Sequence, residues 1–174
     1  MALGEVLFTA DQIAERVAQL AAEIRRDLAG RPLTIVGVLR GSIFFLTDLL
    51  RQLGLDATIE LVEAASYGDR TVSSGQVTLR RYGHFEVAGR DVLIVDDIAD
   101  TGNTLAAVRR AVEAMGPASV RICVLLDKPA RRQVAVDVDY RGFVVDDVFV
   151  VGYGLDHGGR YRSLPYIARL AEET

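Results

Sequence analysis

Residues 92–105, Val-Leu-Ile-Val-Asp-Asp-Ile-Ala-Asp-Thr-Gly-Asn-Thr-Leu, constrain this chain more tightly than any other segment. An apolar run of strand length, Val92 to Val95, leads into adjacent carboxylates at Asp96 and Asp97. Asp100 adds a third, and the turn Thr101-Gly102-Asn103-Thr104 then opens a helical pattern. Side chains alternate across a strand, so Asp96 and Asp97 are expected on opposite faces at a strand end. A turn of hydroxyls and glycine at a helix N-terminus exposes unpaired amides, and the helix dipole favours an anion there. Carboxylates repel a phosphate unless they hold sugar hydroxyls, a divalent metal or a proton in transit. A phosphorylated sugar meets those conditions.

Elsewhere, strand-like runs alternate with helical ones. Thr9 and Gln12 have capping-box spacing, and Ile13, Val17, Leu20, Ile24 and Leu28 follow at helical intervals, which predicts a helix closed by Gly30 and Pro32. Leu33–Leu39 reads as a buried strand running into Arg40-Gly41-Ser42, Ile43–Leu53 as a helix ended by Gly54, and 57–65 as a strand. Residues 66–75 are polar and glycine-rich without periodicity, hence a long loop, and loops of that length tend to serve function. Segments 77–81 and 85–87 are expected to pair as a hairpin through Gly83. Leu105, Val108, Val112 and Met115 form a helical stripe, and 119–126 and 147–151 read as further strands. The alternation predicts an α/β fold with a parallel sheet, whose ligands bind beyond the carboxyl ends of the strands. Those ends are Leu39-Arg40, Asp96-Asp97, Leu126-Asp127-Lys128 and the segment after Val151.

A length of 174 residues suits one domain, 1–174, with a substantial core. The net charge of −4 gives no general pull toward nucleic acid. No apolar run reaches the ~20 residues of a membrane helix, and the N-terminus lacks a signal-peptide pattern. A cytoplasmic location is therefore expected, with the one cysteine, Cys123, a packing residue inside an apolar run.

The string 92–105 resembles the phosphoribosyl-pyrophosphate (PRPP) signature of type I phosphoribosyltransferases. It is closest to the hypoxanthine-guanine branch, with its pattern acidic-Asp-Ile-x-Asp-Thr/Ser-Gly-x-Thr. The resemblance runs in order from about Ile35 to Ile167. It implies a Rossmann-like parallel twisted sheet flanked by helices, with a small base-binding hood. It also implies a purine-salvage reaction: Mg²⁺-dependent transfer of the phosphoribosyl group from PRPP to N9 of hypoxanthine or guanine, giving IMP or GMP and pyrophosphate. Family members are usually homodimers or homotetramers. Uracil or xanthine transfer is the nearer enzymatic alternative. An RNA-binding attenuator on the same fold is an alternative of another class; it would need a basic face, and such proteins lack the Asp-Lys-Pro and Phe-Val-Val-Gly-Tyr segments found here.

Carried over by position, the resemblance implies the following roles. Thr101, Gly102, Asn103 and Thr104 hold the 5′-phosphate. Asp96 and Asp97 hold the ribose hydroxyls and serve the metal, and Asp100 is the general base toward purine N7. Leu39, Arg40 and Gly41 form a pyrophosphate loop whose peptide bond is often cis, and Ser66 and Tyr67 open a lid over PRPP. Lys128 donates to O6 of a 6-oxopurine, Phe149 stacks on the base, and Val150 and Asp156 meet its edge. Asp156 also contacts the metal, and Arg162 the pyrophosphate. Arg40 stands where the family often has lysine, His157 where tyrosine is common, and Asp146-Asp147 where Pro-Asp is common. His84 and His157 have no metal-ligand spacing and read as incidental.

Overall fold

Two reciprocal hydrogen bonds start the first helix. The Gln12 amide donates to Thr9 Oγ1 at 3.3 Å, and the Thr9 amide donates to Gln12 Oε1 at 2.9 Å. The computed structural model describes residues 3–66 and 77–171, and in it α1 (Ala10–Leu28) buries Ile13, Val17, Leu20, Ala21, Ile24 and Leu28 along one stripe. Each large apolar side chain so withdrawn from water contributes about 1.5–3 kcal/mol, so tertiary packing holds the helix more than propensity does. The second helix, α2 (Ile43–Leu53), ends at Gly54 in the left-handed conformation and packs beside α1. The third, α3 (Asn103–Glu113), buries Leu105, Ala106, Val108 and Val112.

The strands are β1 (Leu3–Phe8), β2 (Leu33–Leu39), β3 (Ala57–Ser66), β4 (Val77–Tyr82), β5 (Asp91–Ala99), β6 (Ser119–Asp127), β7 (Tyr140–Val144), β8 (Val150–Val151) and β9 (Ile167–Leu170). Six of them form a sheet in the order β4-β3-β2-β5-β6-β7, parallel except for β4. Alternation divides its side chains between two cores. Ile35, Leu93, Val95, Cys123 and Leu125 pack with α1 and α2, while Val36, Val38, Val92, Ile94, Ile122 and Val124 pack with α3. Both faces are covered, and so the central strands read as unbroken apolar runs. Burial pushes the Cys123 thiol up, which keeps it protonated and inert.

From β2 the chain crosses through α2 to β3 on one side; from β5 it crosses through α3 to β6 on the other. Because β2 and β5 are neighbours, the two connections part between them, and a crevice opens beyond their carboxyl ends. The remaining strands form a small antiparallel sheet, β1-β9-β8, that carries the C-terminal loops. The expected α/β sheet, flanking helices and hood are all present.

Several expectations need correction. Strand β4 pairs with β3, antiparallel, and 85–87 is no strand. Phe85 has φ 58°, and it and Val87 plug the α3-side core instead of joining a ladder. Only Val150–Val151 of 147–151 is extended in a ladder. Strand β5 continues to Ala99, where it pairs with Asp127, so Asp96 and Asp97 lie within the strand and not beyond it. Strands β1, β7 and β9 had no sequence signal strong enough to predict them.

Candidate active site

Two cavities open at the carboxyl ends of the parallel strands, of about 310 Å³ and about 570 Å³. The smaller is lined by Leu39, Gly41, Asp96, Asp97, Asp100, Thr101, Gly102 and Thr104 among others. The larger is lined by Lys128, Arg131, Asp147, Phe149, Val150, Leu155 and Asp156. Asp97, Ile98 and Asp100 line both, so the two halves are one continuous cleft.

At the smaller end, α2 and α3 both begin without a side-chain cap and without an acidic residue in the first turn. This contrasts with the fully capped α1, which lies away from the cleft. Open helix N-termini are a ready anion site. Gly102, at φ 88°, takes a conformation that disfavours a side chain, and a Cβ there would strike the Val134 carbonyl. Thr101 Oγ1 accepts from the Asn103 side-chain amide at 3.3 Å, and the Thr101 carbonyl accepts from Gln133 N and Val134 N at 2.9 and 3.0 Å. The turn is thus braced from the segment that follows Lys128.

The Leu39-Arg40 peptide bond is cis, as the resemblance implies. Leu39 and Gly41 face the cleft, while the Arg40 guanidinium turns away to Glu63, 3.3 Å off. Gly41 lies so close to Asp97 that any Cβ would collide with its carboxylate. Burial and the adjacent Asp97 charge push the Asp96 carboxyl well above the usual carboxylate range. Burial raises Asp97 as well, with partial offset from its hydrogen bonding to Asp96 and from the Arg162 charge. A site that penalises two anions in this way suits a cation, or a ligand that becomes positive.

At the larger end Lys128 is only 5% exposed, and burial pulls its ammonium below the usual lysine range. Its Nζ donates to the Val148 carbonyl at 2.6 Å, and its amide to the Ala99 carbonyl at 3.0 Å. Beneath it, buried Asp127 pairs with Arg132 and with Arg141. Phe149, by contrast, is 53% exposed beside this cavity, with His157 edge-on at 5.3 Å. A large exposed ring in a concave site offers a face for a flat ligand. His157, read as incidental from sequence, therefore props that ring.

Asp156 reaches the cavity wall with both oxygens engaged, Oδ1 by Arg162 at 2.7 Å and Oδ2 by the Gly159 amide at 2.7 Å. Arg162 also donates to the Gly154 carbonyl at 2.6 Å, so it braces the loop after β8. Ser66 ends β3, while Tyr67 and the expected lid lie outside the described residues. Sequence reasoning gave no role to Arg131, Asp147 or Leu155, although two arginines so close behind Lys128 at a strand end were a readable signal.

A strand-end cleft with an uncapped helix N-terminus at one end and a cationic, aromatic pocket at the other is the arrangement of a phosphoribosyl transferase. The phosphoribosyl transferase domain model matches residues 6–157, and the chain belongs to that family. It is 44% identical over 171 residues to the bifunctional protein TilS/HprT of Listeria innocua, covering 98% of this chain but 26% of that longer protein. It is also 44% identical to the hypoxanthine-guanine phosphoribosyltransferase of Mycobacterium avium, covering 97% of this chain and 86% of the relative. Among solved structures, a hypoxanthine phosphoribosyltransferase from Staphylococcus aureus superposes with a TM-score of 0.92 at 38% identity, covering 97% of this chain and 92% of that one.

Proposed function

We propose that the chain, acting as one catalytic domain over 1–174, transfers the 5-phosphoribosyl group of PRPP to N9 of hypoxanthine, and of guanine, for purine salvage. The C1′–O bond to pyrophosphate breaks, the C1′–N9 bond forms, and the purine N7 proton leaves to Asp100, giving IMP or GMP and pyrophosphate. The observation that carries this reading is the sharing of Asp97, Ile98 and Asp100 by both cavities, which brings a phosphate turn and a base pocket to one point.

In this reading Thr101, Gly102, Asn103 and Thr104 bind the 5′-phosphate through amides and hydroxyls. Asp96 and Asp97 bind the ribose hydroxyls, and their costly buried charge favours positive character on the ring as C1′ loses its leaving group. Leu39 and Gly41 offer backbone groups to pyrophosphate, with the Arg162 charge nearby; Arg40 would reach it only by leaving Glu63. Lys128 donates to O6, and Phe149 and Val150 cover the base. Asp100, 39% exposed by side chain where the cavities meet, is the general base.

Mg²⁺ fits the donor set, because carboxylate oxygens are hard ligands and Asp96 and Asp97 gain from a neighbouring cation. Among the described residues no three ligating side chains stand close enough to hold an ion by themselves, so Asp96 and Asp97, or Asp156, would supply one or two carboxylates with substrate oxygens completing the set, as is usual for magnesium. When bound, the ion neutralises charge on the departing pyrophosphate. No described helix is long and apolar enough to cross a membrane, and we place the enzyme in the cytoplasm as a homodimer or homotetramer.

The test is a Mg²⁺–PRPP assay run in parallel with hypoxanthine, guanine, xanthine, adenine and uracil. The reading expects IMP and GMP formation with adenine and uracil inert. Turnover of uracil or adenine alone would contradict it.

A further inference from the structure

Arg131 closes the short 3-10 turn Pro129–Arg131, and its guanidinium stands between two carboxylates. Nε lies 2.8 Å from Asp100 Oδ1, and Nη1 lies 2.9 Å from Asp147 Oδ1. All three residues line the larger cavity, and the reaction as described above gives this arginine no task. Lys128, at the start of the same turn, sends its ammonium to the Val148 carbonyl instead. The Arg131 side chain is 45% exposed, so it is no core residue held there by packing alone.

The two contacts differ in kind. Arg131 makes an aligned hydrogen bond to Asp147. To Asp100 it is an ion pair without hydrogen-bond alignment, and Oδ1 is shut off from water with no hydrogen-bond partner among the described residues. A buried carboxylate oxygen without a donor is costly, and such atoms ask for an explanation. Here the Arg131 charge offsets the burial of Oδ1, and the exposure of the side chain falls on Oδ2. An arginine suits the task because its planar fork can meet two carboxylates along separate edges, which the point charge of a lysine cannot.

We infer that Arg131 is a positioning residue for Asp100: anchored on Asp147, its guanidinium holds Oδ1, fixes the direction of the Asp100 carboxylate and leaves Oδ2 to take the purine N7 proton. This rests on the reading of Asp100 as general base. The N7–H bond breaks as C1′–N9 forms, its electron pair stays in the ring, and the proton passes to Oδ2. Asp147 supplies the fixed end, since it belongs to the segment before β8 that also carries Phe149. The base, its stacking ring and its proton acceptor are thereby tied to one frame.

The test is the single-turnover rate of IMP formation from PRPP and hypoxanthine, by rapid quench on the full chain with Mg²⁺. Arg131→Ala should slow that step on the order of 10²-fold, the cost of a small misplacement of a reacting group, with KM for PRPP unchanged. Arg131→Lys should recover part of the rate. Asp147→Ala, which removes only the anchor, should slow the step by roughly tenfold. A wild-type rate in Arg131→Ala or in Asp147→Ala overturns the inference. So does a parallel loss of rate, KM and thermal stability that Arg131→Lys does not relieve. Asp100→Ala, measured alongside, separates the two levels. If it keeps the wild-type rate, the reading of Asp100 fails; if it is slow while Arg131→Ala is fast, only the role of Arg131 fails.

Discussion

Lys128 carries its charge where burial opposes it, and such a cost is tolerated when an acceptor arrives to pair with it. A 6-oxopurine brings that acceptor, whereas the 6-amino group of adenine brings a donor. Sites built around one hydrogen bond can discriminate by roughly 10⁴-fold, so Lys128→Ala should lower kcat/KM mainly for hypoxanthine and guanine and narrow the gap to adenine. Comparing the hypoxanthine-to-adenine ratio in both proteins checks this, and an unchanged ratio would move base selection elsewhere. Asp96 makes the opposite trade. Its carboxyl is raised in the folded chain, so the native state binds more protons than the unfolded one. Stability is therefore greatest below the unfolded value and falls as pH rises through the folded one; at neutral pH the buried charge works against folding. Asp96→Asn should stabilise the protein by about 0.5–2 kcal/mol near pH 7.5 in EDTA, with the gain shrinking toward pH 4, while turnover falls. Thermal melts across that pH range provide the check.

Helix α1 and helix α3 start in different ways for different ends. The capping box of Thr9 and Gln12 closes α1, so Thr9→Ala should cost about 1 kcal/mol in denaturant unfolding and leave kcat untouched. A change in kcat would mean that α1 communicates with the cleft. The start of α3 has no side-chain cap, and the sequence states both facts locally: a capping pair in one place, Thr-Gly-Asn-Thr in the other. That is why α1, β2, α2 and the turn at 101–104 were legible at the level of residues. Strands β1, β7 and β9 were not, because each is short and owes its ladder to a partner distant in sequence, as Leu3 does to Leu170. Phe85 and Val87 misled for the same reason, since their apolar character serves a core that only tertiary packing defines. The position of Arg131 between Asp100 and Asp147 depends on a turn folding back over the cleft, and no local pattern encodes that.

At the scale of the whole molecule, the sheet order creates the site. The chain leaves β2 and β5 in opposite directions, and the gap between those departures receives the cis peptide at Leu39-Arg40, the carboxylates of β5 and the N-termini of two uncapped helices. The small sheet then adds a wall of the larger cavity, with Phe149 and Asp156 flanking β8. A nucleotide that spans both halves requires them to be one site. Titrating IMP calorimetrically into the wild type, into Thr101→Ala/Thr104→Ala and into Lys128→Ala tests that claim most directly. Hydrogen bonds to charged groups contribute about 1.5–3 kcal/mol each, so both variants should weaken IMP by roughly tenfold or more although they lie in different cavities. Unchanged IMP affinity in either one would mean that the nucleotide occupies a single cavity, and the joined cleft would be wrong.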